Sequence, residues 1–429
     1  MTARSLLSFT AIAVLAAGAA MAQTGDVRID ISSGAGHRIP IVCESLKPAG
    51  DRSAGETSVT ADATLADDLQ YSAVFDVTRS WTGVAPPPEV QAVVSGTWTV
   101  SGNQVRLAGE VRDLPARRPI FSRVYQGTLQ QRRSLAHQFA DDIVLQFTGE
   151  PGVAQTRIAF ASPGDRTKEL WVMDYDGAQP QQLTRDRSIA LSPAWSPEAS
   201  LLLFTSYRAG TGPHVYVMPS TGGKMFVVSG RPGNNTSACY SPDGRDIALT
   251  LSMDGNSEIY LLDARGGSPR RLTNNRAIDT SPVWSPTGRE LAFTSDRSGG
   301  FQVYVMDRDG GNVRRLTFEV NNTDSPAWSP KGDQLAFVAR TDQGFDVYVC
   351  KVDGSSVRRV VAGGSNENPK WSPDGRHLVF ASDRDGGSAL WVTDLDDRPP
   401  RKLDSGGRPA LSPAWSPRPG GASSTVQRN

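Results

Sequence analysis

The sequence predicts a mainly β protein, in which a small α/β domain precedes a six-bladed β-propeller. The first observation is a repeat, because an aromatic residue followed by Ser-Pro recurs every 43 to 45 residues, at Trp195, Tyr240, Trp284, Trp328, Trp371 and Trp415. A period of about 40–45 residues with four short apolar runs per unit is typical of propeller blades. The second observation is that residues 23–150 lack this period and alternate between strand-like and helix-like patterns.

Each repeat unit divides into four predicted strands. The first strand ends at the aromatic residue, and a turn such as Ser241-Pro242-Asp243-Gly244 follows, in which proline presets φ and glycine accepts a positive φ. The second strand is an apolar run, at 201–205, 247–251, 291–294, 335–338 and 378–381. The third carries an aromatic residue, at Trp171, Tyr216, Tyr260, Tyr304, Tyr348 and Trp391. The fourth is short and basic, as at Arg270 and Arg314, and such charge protects an exposed sheet edge.

The strand count predicts how the ring closes. Complete sets of second, third and fourth strands begin near six positions, which are Ile158, Leu201, Ile247, Leu291, Leu335 and Leu378. The set at Ile158 has no first strand before it, and the first strand at Trp415 has no set after it. Pairing these two strands gives four strands to every blade of a propeller at 158–417. The alternative is an open solenoid of four-stranded units, which the matched offset disfavours.

The remaining segments are assigned from local patterns. Arg4, the apolar stretch that follows it and the Ala20-Met21-Ala22 site predict a signal peptide at 1–22, and therefore export to the periplasm of a diderm cell. The α/β domain covers 23–150, a linker covers 151–157 and a polar tail covers 418–429. In that domain we predict helices at about 64–71, from a capping-box-like start at Thr64, and at 132–147. Strands are predicted at 27–32, 39–46, 75–78, 89–100, 104–113 and 121–129.

Composition and missing motifs argue against several classes of protein. The chain has 45 basic and 45 acidic side chains, whereas nucleic-acid and anionic-membrane binders carry a cationic surplus. We therefore expect no nucleic-acid binding. We also expect no direct membrane insertion and a protein that is monomeric on its own. No nucleophile elbow or phosphate-binding loop is present, and the sequence predicts no enzyme and no catalytic residues. The histidines are scattered, at His37, His137, His214 and His377. Cys239 and Cys350 are interpreted as small core residues, and Cys43 lies in a predicted strand of the α/β domain.

Two loops contain residues that could bind a metal ion. The segments SDRSGG at 295–300 and SDRDGG at 382–387 place aspartates beside glycines, a combination that can ligate calcium. Neither loop has acidic residues at regular ligand spacing, so an ordinary turn is the favoured interpretation. We expect no cofactor, and a calcium ion in the central channel stays an open alternative.

The loops that lead into the first strands predict the binding face. The turns after the first and third strands repeat almost unchanged, whereas the leading loops differ in every unit. Binding residues usually lie on variable loops held by a rigid scaffold. We therefore predict partner contacts at the channel mouth, from Asn234, Asn235, Thr236, Ser237, Asp279, Thr280, Asn322, Thr323, Asp324, Asn366 and Glu367.

The order of these segments resembles the TolB family, the periplasmic components of Tol-Pal systems. The resemblance rests on the six units of the form WSPDG…LAFTSDR…YVMDxDGG…RRLT, on Leu65-Ala66-Asp67-Asp68-Leu69 leading to Phe75, on AVVSG at 92–96, and on the helix that runs on to Arg157-Ile158-Ala159-Phe160. Residues 48–60 and 79–90 are unlike typical members, and the first turn, at 196–199, lacks its glycine.

The resemblance implies a binding scaffold. TolB-like proteins link the inner-membrane Tol complex to the outer-membrane lipoprotein Pal, and they support outer-membrane integrity and invagination during cell division. The family implies a Pal-like partner at the mouth, around 234–237, 279–280 and 322–324. It also implies a TolA-like inner-membrane partner at the mature N-terminus, at Gln23, Thr24, Gly25, Asp26, Val27, Arg28 and Ile29. The alternative is an exported propeller hydrolase or a propeller that serves a peptidase.

Overall fold

The computed structural model describes residues 38–50, 53–79, 89–396 and 398–419. The predicted signal peptide, the predicted strand at 27–32 and the predicted contact segment at 23–29 lie outside these residues. The part of the polar tail after residue 419 also lies outside them.

In its described residues, the N-terminal domain consists of six strands and two helices, together with one 3-10 turn. They are β1 (Ile39–Cys43), β2 (Lys47–Gly50), α1 (Ser53–Tyr71), β3 (Phe75–Arg79), β4 (Ala92–Ser101), β5 (Gln104–Asp113), β6 (Arg118–Thr128), the turn Leu129–Gln131 and α2 (Arg132–Thr148). The sheet order is β3-β1-β4-β5-β6, and β2 also pairs with β4. β1 is parallel to β3 and β4, whereas β4, β5 and β6 are antiparallel.

The two helices differ in how well the sequence predicted them. α1 begins at Ser53, so the predicted start at Thr64 is wrong; the Thr64 hydroxyl instead donates to the Thr60 carbonyl at 2.9 Å inside the helix. α2 ends as predicted, because Gly149 adopts φ 76° and its N–H donates to the Leu145 carbonyl at 2.8 Å. Neither helix in the described ranges combines the length and apolarity needed to cross a membrane.

The strands after α2 build the propeller. They are β7 (Arg157–Pro163), β8 (Lys168–Asp174), β9 (Gln181–Gln182), β10 (Ala190–Trp195), β11 (Leu201–Ser206), β12 (His214–Pro219), β13 (Phe226–Ser229), β14 (Asn235–Tyr240), β15 (Asp246–Leu251), β16 (Glu258–Asp263), β17 (Arg270–Arg271), β18 (Asp279–Trp284), β19 (Glu290–Ser295), β20 (Gln302–Asp307), β21 (Arg314–Arg315), β22 (Thr323–Trp328), β23 (Gln334–Thr341), β24 (Gly344–Lys351), β25 (Arg358–Val361), β26 (Asn366–Trp371), β27 (His377–Ser382), β28 (Ala389–Asp394), β29 (Arg401–Lys402) and β30 (Leu411–Trp415).

These strands form six four-stranded antiparallel blades. Five blades use four consecutive strands, starting at β10, β14, β18, β22 and β26, and the opening blade has the order β30-β7-β8-β9. In that blade, Leu411 pairs with Ala161 and Trp415 pairs with Ile158. The Trp415 indole also donates to the Thr156 hydroxyl at 2.8 Å. The predicted pairing of the last strand with the opening set is therefore present.

Repeated aromatic residues fill the blades. The second strands each bury a large apolar side chain at the same position, at Phe160, Phe204, Leu249, Phe293, Phe337 and Phe380. In three blades this phenylalanine stacks on the tyrosine of the third strand, with ring centroids 5.7 to 5.9 Å apart. Offset aromatic pairs add to the stabilisation from burial, which explains the aromatic residue of the third strand in these three blades.

A buried polar cluster joins the N-terminal domain to the opening blade. The Tyr175 hydroxyl donates to Asp68 at 2.6 Å, and Nδ1 of His137 lies 2.7 Å from the same carboxylate. Burial raises the pKa of Asp68. Burial alone would lower the pKa of His137, but the Asp68 carboxylate outweighs it and raises that pKa. His137 is thus part of a domain contact rather than an isolated packing residue.

Candidate functional site

Every innermost strand carries a bulge at the same position. The pairing register shifts once in β10, β14, β18, β22, β26 and β30. One residue within each shift has a positive φ of 50° to 56°, at Ser192, Ser237, Ser281, Ser325, Asn368 and Ser412. These residues, here called the left-handed ring, hold a conformation that costs free energy for any residue with a Cβ. They divide the channel into a mouth half, next to the leading loops, and a turn half, next to the Ser-Pro turns.

Four of the predicted contact residues are internal to the blades. Each begins an innermost strand and is fully buried: Asn235, Asp279, Thr323 and Asn366. The Asp279 carboxylate accepts from Arg297 at 2.7 Å, and the Asn366 amide oxygen accepts from Arg384 at 2.7 Å. These four side chains hold the leading loops in place, so any direct contact with a partner has to come from their neighbours.

The other predicted residues lie at or near the surface. Asn234, Asn322 and Glu367 are exposed, and the remaining four are half-buried: Thr236, Ser237, Thr280 and Asp324. The leading loop of the β18 blade also exposes Ile278 by 43%, a large apolar residue that was not among the predicted contact residues. We call Asn234, Ile278, Asn322 and Glu367 the mouth surface.

The two aspartate loops fasten the leading loops. The Asp296 carboxylate accepts from the backbone N–H of Ile278 at 2.8 Å, and the Arg297 guanidinium donates to the Ser295 hydroxyl at 2.9 Å. Asp383 likewise accepts from the N–H of Ser365 at 2.6 Å. The carboxylates considered as calcium ligands therefore make hydrogen bonds within their own blades. In the described ranges, no three His, Cys, Asp or Glu residues lie close enough to hold a metal ion.

A cavity of about 430 Å³ occupies the turn half of the channel. Its wall consists of the left-handed ring, the prolines and small residues that follow it, and the side chains of Trp195, Trp328, Trp371 and Trp415. Apart from Ser237, none of the predicted mouth residues lines it. This cavity therefore lies toward the opposite end of the channel from the mouth surface.

Lys370 is the one charged residue among the described residues that line this cavity. Burial lowers the pKa of Lys370, and the charge of Asp324 opposes this effect only in part. Cys239 is itself a neutral donor, since its thiol lies 3.1 Å from the Pro282 carbonyl and burial raises its pKa to about 12. Lys370 was not among the predicted site residues. It is nevertheless unusual in the sequence, because the other five units have a small or apolar residue just before the repeated aromatic residue.

Comparison with known proteins gives one consistent result. Residues 144–419 match the family model described as the TolB beta propeller domain. The Tol-Pal system protein TolB of Desulfosudis oleivorans is 34% identical over 60% of this chain and 62% of its own length. The protein of the same name from Anaeromyxobacter dehalogenans is 38% identical over 60% of this chain and 61% of its own.

A solved structure extends the similarity beyond the propeller. The crystal structure of TolB from Acinetobacter baumannii superposes with a TM-score of 0.79 and 26% identity, over 89% of this chain and 97% of that one. The sequence matches are shorter than this structural match. The chain spans about three-fifths of the length of the curated relatives it matches.

Proposed function

Because the chain belongs to the TolB β-propeller family, we propose that it is a non-catalytic binding scaffold of a Tol-Pal system in the periplasm. Its mouth surface docks a Pal-like outer-membrane lipoprotein. The segment from Gln23 to Ile29 contacts a TolA-like protein of the inner-membrane Tol complex. By connecting the two membranes in this way, the protein supports outer-membrane integrity and the invagination of the envelope during cell division.

One observation carries the proposal for the mouth. The leading loops are fastened from inside by buried side chains such as Asp279 and Asn366, while neighbouring residues such as Asn234 and Glu367 point outward. A surface that is held rigidly before binding loses little conformational entropy when a partner docks. The exposed Ile278 side chain supplies an apolar contact among these polar residues, as binding surfaces commonly do.

The test is affinity capture from an envelope extract with three forms of the protein. The mouth variant combines Asn234→Arg, Ile278→Arg and Glu367→Arg. The turn variant combines Glu198→Arg, Ser200→Arg and Thr287→Arg, three exposed residues near the Ser-Pro turns, and it changes the net charge by the same amount. We expect the wild type and the turn variant to retain one Pal-like lipoprotein, and the mouth variant to lose it.

Two results would contradict the proposal. Equal recovery of the lipoprotein by all three forms would show that the mouth surface is not its docking site. Failure of the wild type to retain any Pal-like or TolA-like protein would contradict the Tol-Pal role. Circular dichroism of both variants, compared with the wild type, separates loss of binding from loss of folding.

A further inference from the structure

The turn half of the channel departs from its repeat at one side chain. The residue before the repeated aromatic residue is small or apolar in five blades, namely Ala194, Cys239, Val283, Ala327 and Ala414, and it is Lys370 in the sixth. All of these residues line the cavity. An apolar residue suits this wall, whereas a lysine places an ammonium group where the other blades have none.

Lys370 has no partner of opposite charge in direct contact. No hydrogen bond or ion pair joins its ammonium group to any described residue, since the nearby Asp324 carboxylate accepts instead from the Thr294 hydroxyl at 2.8 Å and the Ser325 N–H at 2.6 Å. The other residues of the wall, which include the serines of the left-handed ring and Asn368, are uncharged and cannot serve as a counter-ion. Lys370 is half-buried, and the lowered pKa of its ammonium group agrees with a partial loss of hydration.

We propose that this cavity binds a carboxylate carried by an apolar group, with the Lys370 ammonium as its counter-ion. A single cation among otherwise uncharged lining residues suits a monoanion better than a phosphate, which carries roughly two negative charges. The volume of 430 Å³ lies within the roughly 300–1,000 Å³ that small-ligand sites occupy.

The carboxylate has two possible sources, a free small molecule or an acidic side chain on an extended segment of a partner. Their shared chemistry is tested with phenylacetate and its uncharged analogue phenylacetamide. The peptide acetyl-Gly-Ala-Glu-Ala-Gly-amide and its glutamine analogue represent the second source. Calorimetry measures each affinity for the full chain, and tighter binding of phenylacetate or of the glutamate peptide identifies which source the site prefers.

The decisive variant is Lys370→Met, which keeps the length of the side chain and removes its charge. We expect it to weaken phenylacetate binding by at least about tenfold, which is about 1.4 kcal/mol, and to leave phenylacetamide binding unchanged. Lys351→Met is the matched control, because Lys351 is exposed at the end of β24, and it should bind like the wild type. The double variant Lys370→Ala with Ala194→Lys moves the ammonium to the equivalent position of another blade and should restore binding.

Three outcomes would overturn the proposal. The first is equal affinity of wild type and Lys370→Met for phenylacetate, and the second is no preference of the wild type for a carboxylate over its amide. The third applies even where the variants fold poorly. In wild type labelled with ¹³C-lysine, bound phenylacetate should raise the pKa of Lys370, and an unchanged titration would contradict the proposed ion pair.

Discussion

The two halves of the channel differ in how closely their residue types repeat from blade to blade. In the mouth half, the buried positions vary in residue type, as between Asn235 and Asp279, yet they do the same work of fastening loops. The exposed residues beside them differ from blade to blade. In the turn half, the wall repeats almost unchanged, and Lys370 is its one charged member among the described lining residues.

This difference shows where variation between repeats carries information. A change at an exposed loop residue alters the stability of the fold by little, so diversity there is weak evidence of function. A charge that is partly removed from water costs free energy unless something pairs with it. One deviation in the turn half is therefore more informative than many in the mouth half, where binding has to be argued from rigidity and exposure together.

The comparison requires a closed ring, and truncation gives the largest effect. Deletion of residues 410–429 removes β30 and leaves β7 with an unpaired inner edge. It also removes Trp415, which is 8% exposed and bonded to Thr156. We expect a loss of more than about 4 kcal/mol in the free energy of unfolding, because burial and a ladder of hydrogen bonds disappear together. Thermal denaturation measures it, and deletion of 420–429 is the control. Equal melting temperatures for the two truncations would contradict closure by β30.

The mouth half depends on buried ion pairs, and Arg297→Ala tests this. Arg297 pairs with the fully buried Asp279 and lies over the rings of Phe293 and Tyr304. Removal of the Arg297 side chain leaves the buried Asp279 carboxylate without a counter-ion. We therefore expect chemical denaturation to show a loss of about 3 kcal/mol in the free energy of unfolding.

The matched change near the Ser-Pro turns is Arg245→Ala. Arg245 is 83% exposed and lies 4.0 Å from Asp243, and a pair of this kind contributes less than about 1 kcal/mol. A loss for Arg245→Ala as large as that for Arg297→Ala would remove the distinction between the two halves.

The left-handed ring between the halves should reject β-branched residues. Ser281 has a φ of 56°, a conformation in which valine is strongly disfavoured. We expect Ser281→Val to lose about 2 kcal/mol and Ser281→Gly to change stability by less than about 1 kcal/mol, because glycine adopts this conformation without strain. Urea denaturation of both variants measures the difference, and identical stabilities would show that the bulge relaxes.

Lys370→Met should have the smallest effect on stability, and it should be stabilising. Removing an ammonium without a counter-ion should raise the free energy of unfolding by about 1 kcal/mol at neutral pH in the absence of a ligand. Because the pKa of Lys370 is lowered from 10.5 in the folded state, protonation disfavours folding. Wild type should therefore gain stability relative to the variant as the pH rises through the lowered pKa toward 10.5. A difference that does not change with pH would contradict the lowered pKa.

The parts of the fold that follow local rules were predictable. Short-range geometry determines the Ser-Pro-x-Gly turns and the aromatic residue of each third strand. The pairing of the strands at Ile158 and Trp415 follows from counting the predicted strands. The start of α1 was not predictable in this way, because the glycine, threonines and valine after Ser53 have low helix propensity.

The site was only partly predictable, because exposure is a tertiary property. Asn235 and Asp279 look like surface residues in the sequence, and their burial becomes possible only because other segments supply partners such as Arg297. The position of Lys370 in the wall of the cavity becomes apparent only once its strand is known to face the channel. Residue type alone cannot distinguish a solvated polar side chain from one that is buried and hydrogen-bonded.

The most direct test of the account is the affinity of the purified Pal-like lipoprotein for the wild type, the mouth variant and the turn variant. Each exposed contact contributes on the order of 1 kcal/mol, so the mouth variant should bind about a hundredfold more weakly. The turn variant should match the wild type, and both variants should keep the melting temperature of the wild type because all six substituted residues are exposed. Loss of binding by the turn variant, with normal binding by the mouth variant, would contradict the account and place the docking site at the opposite end of the channel.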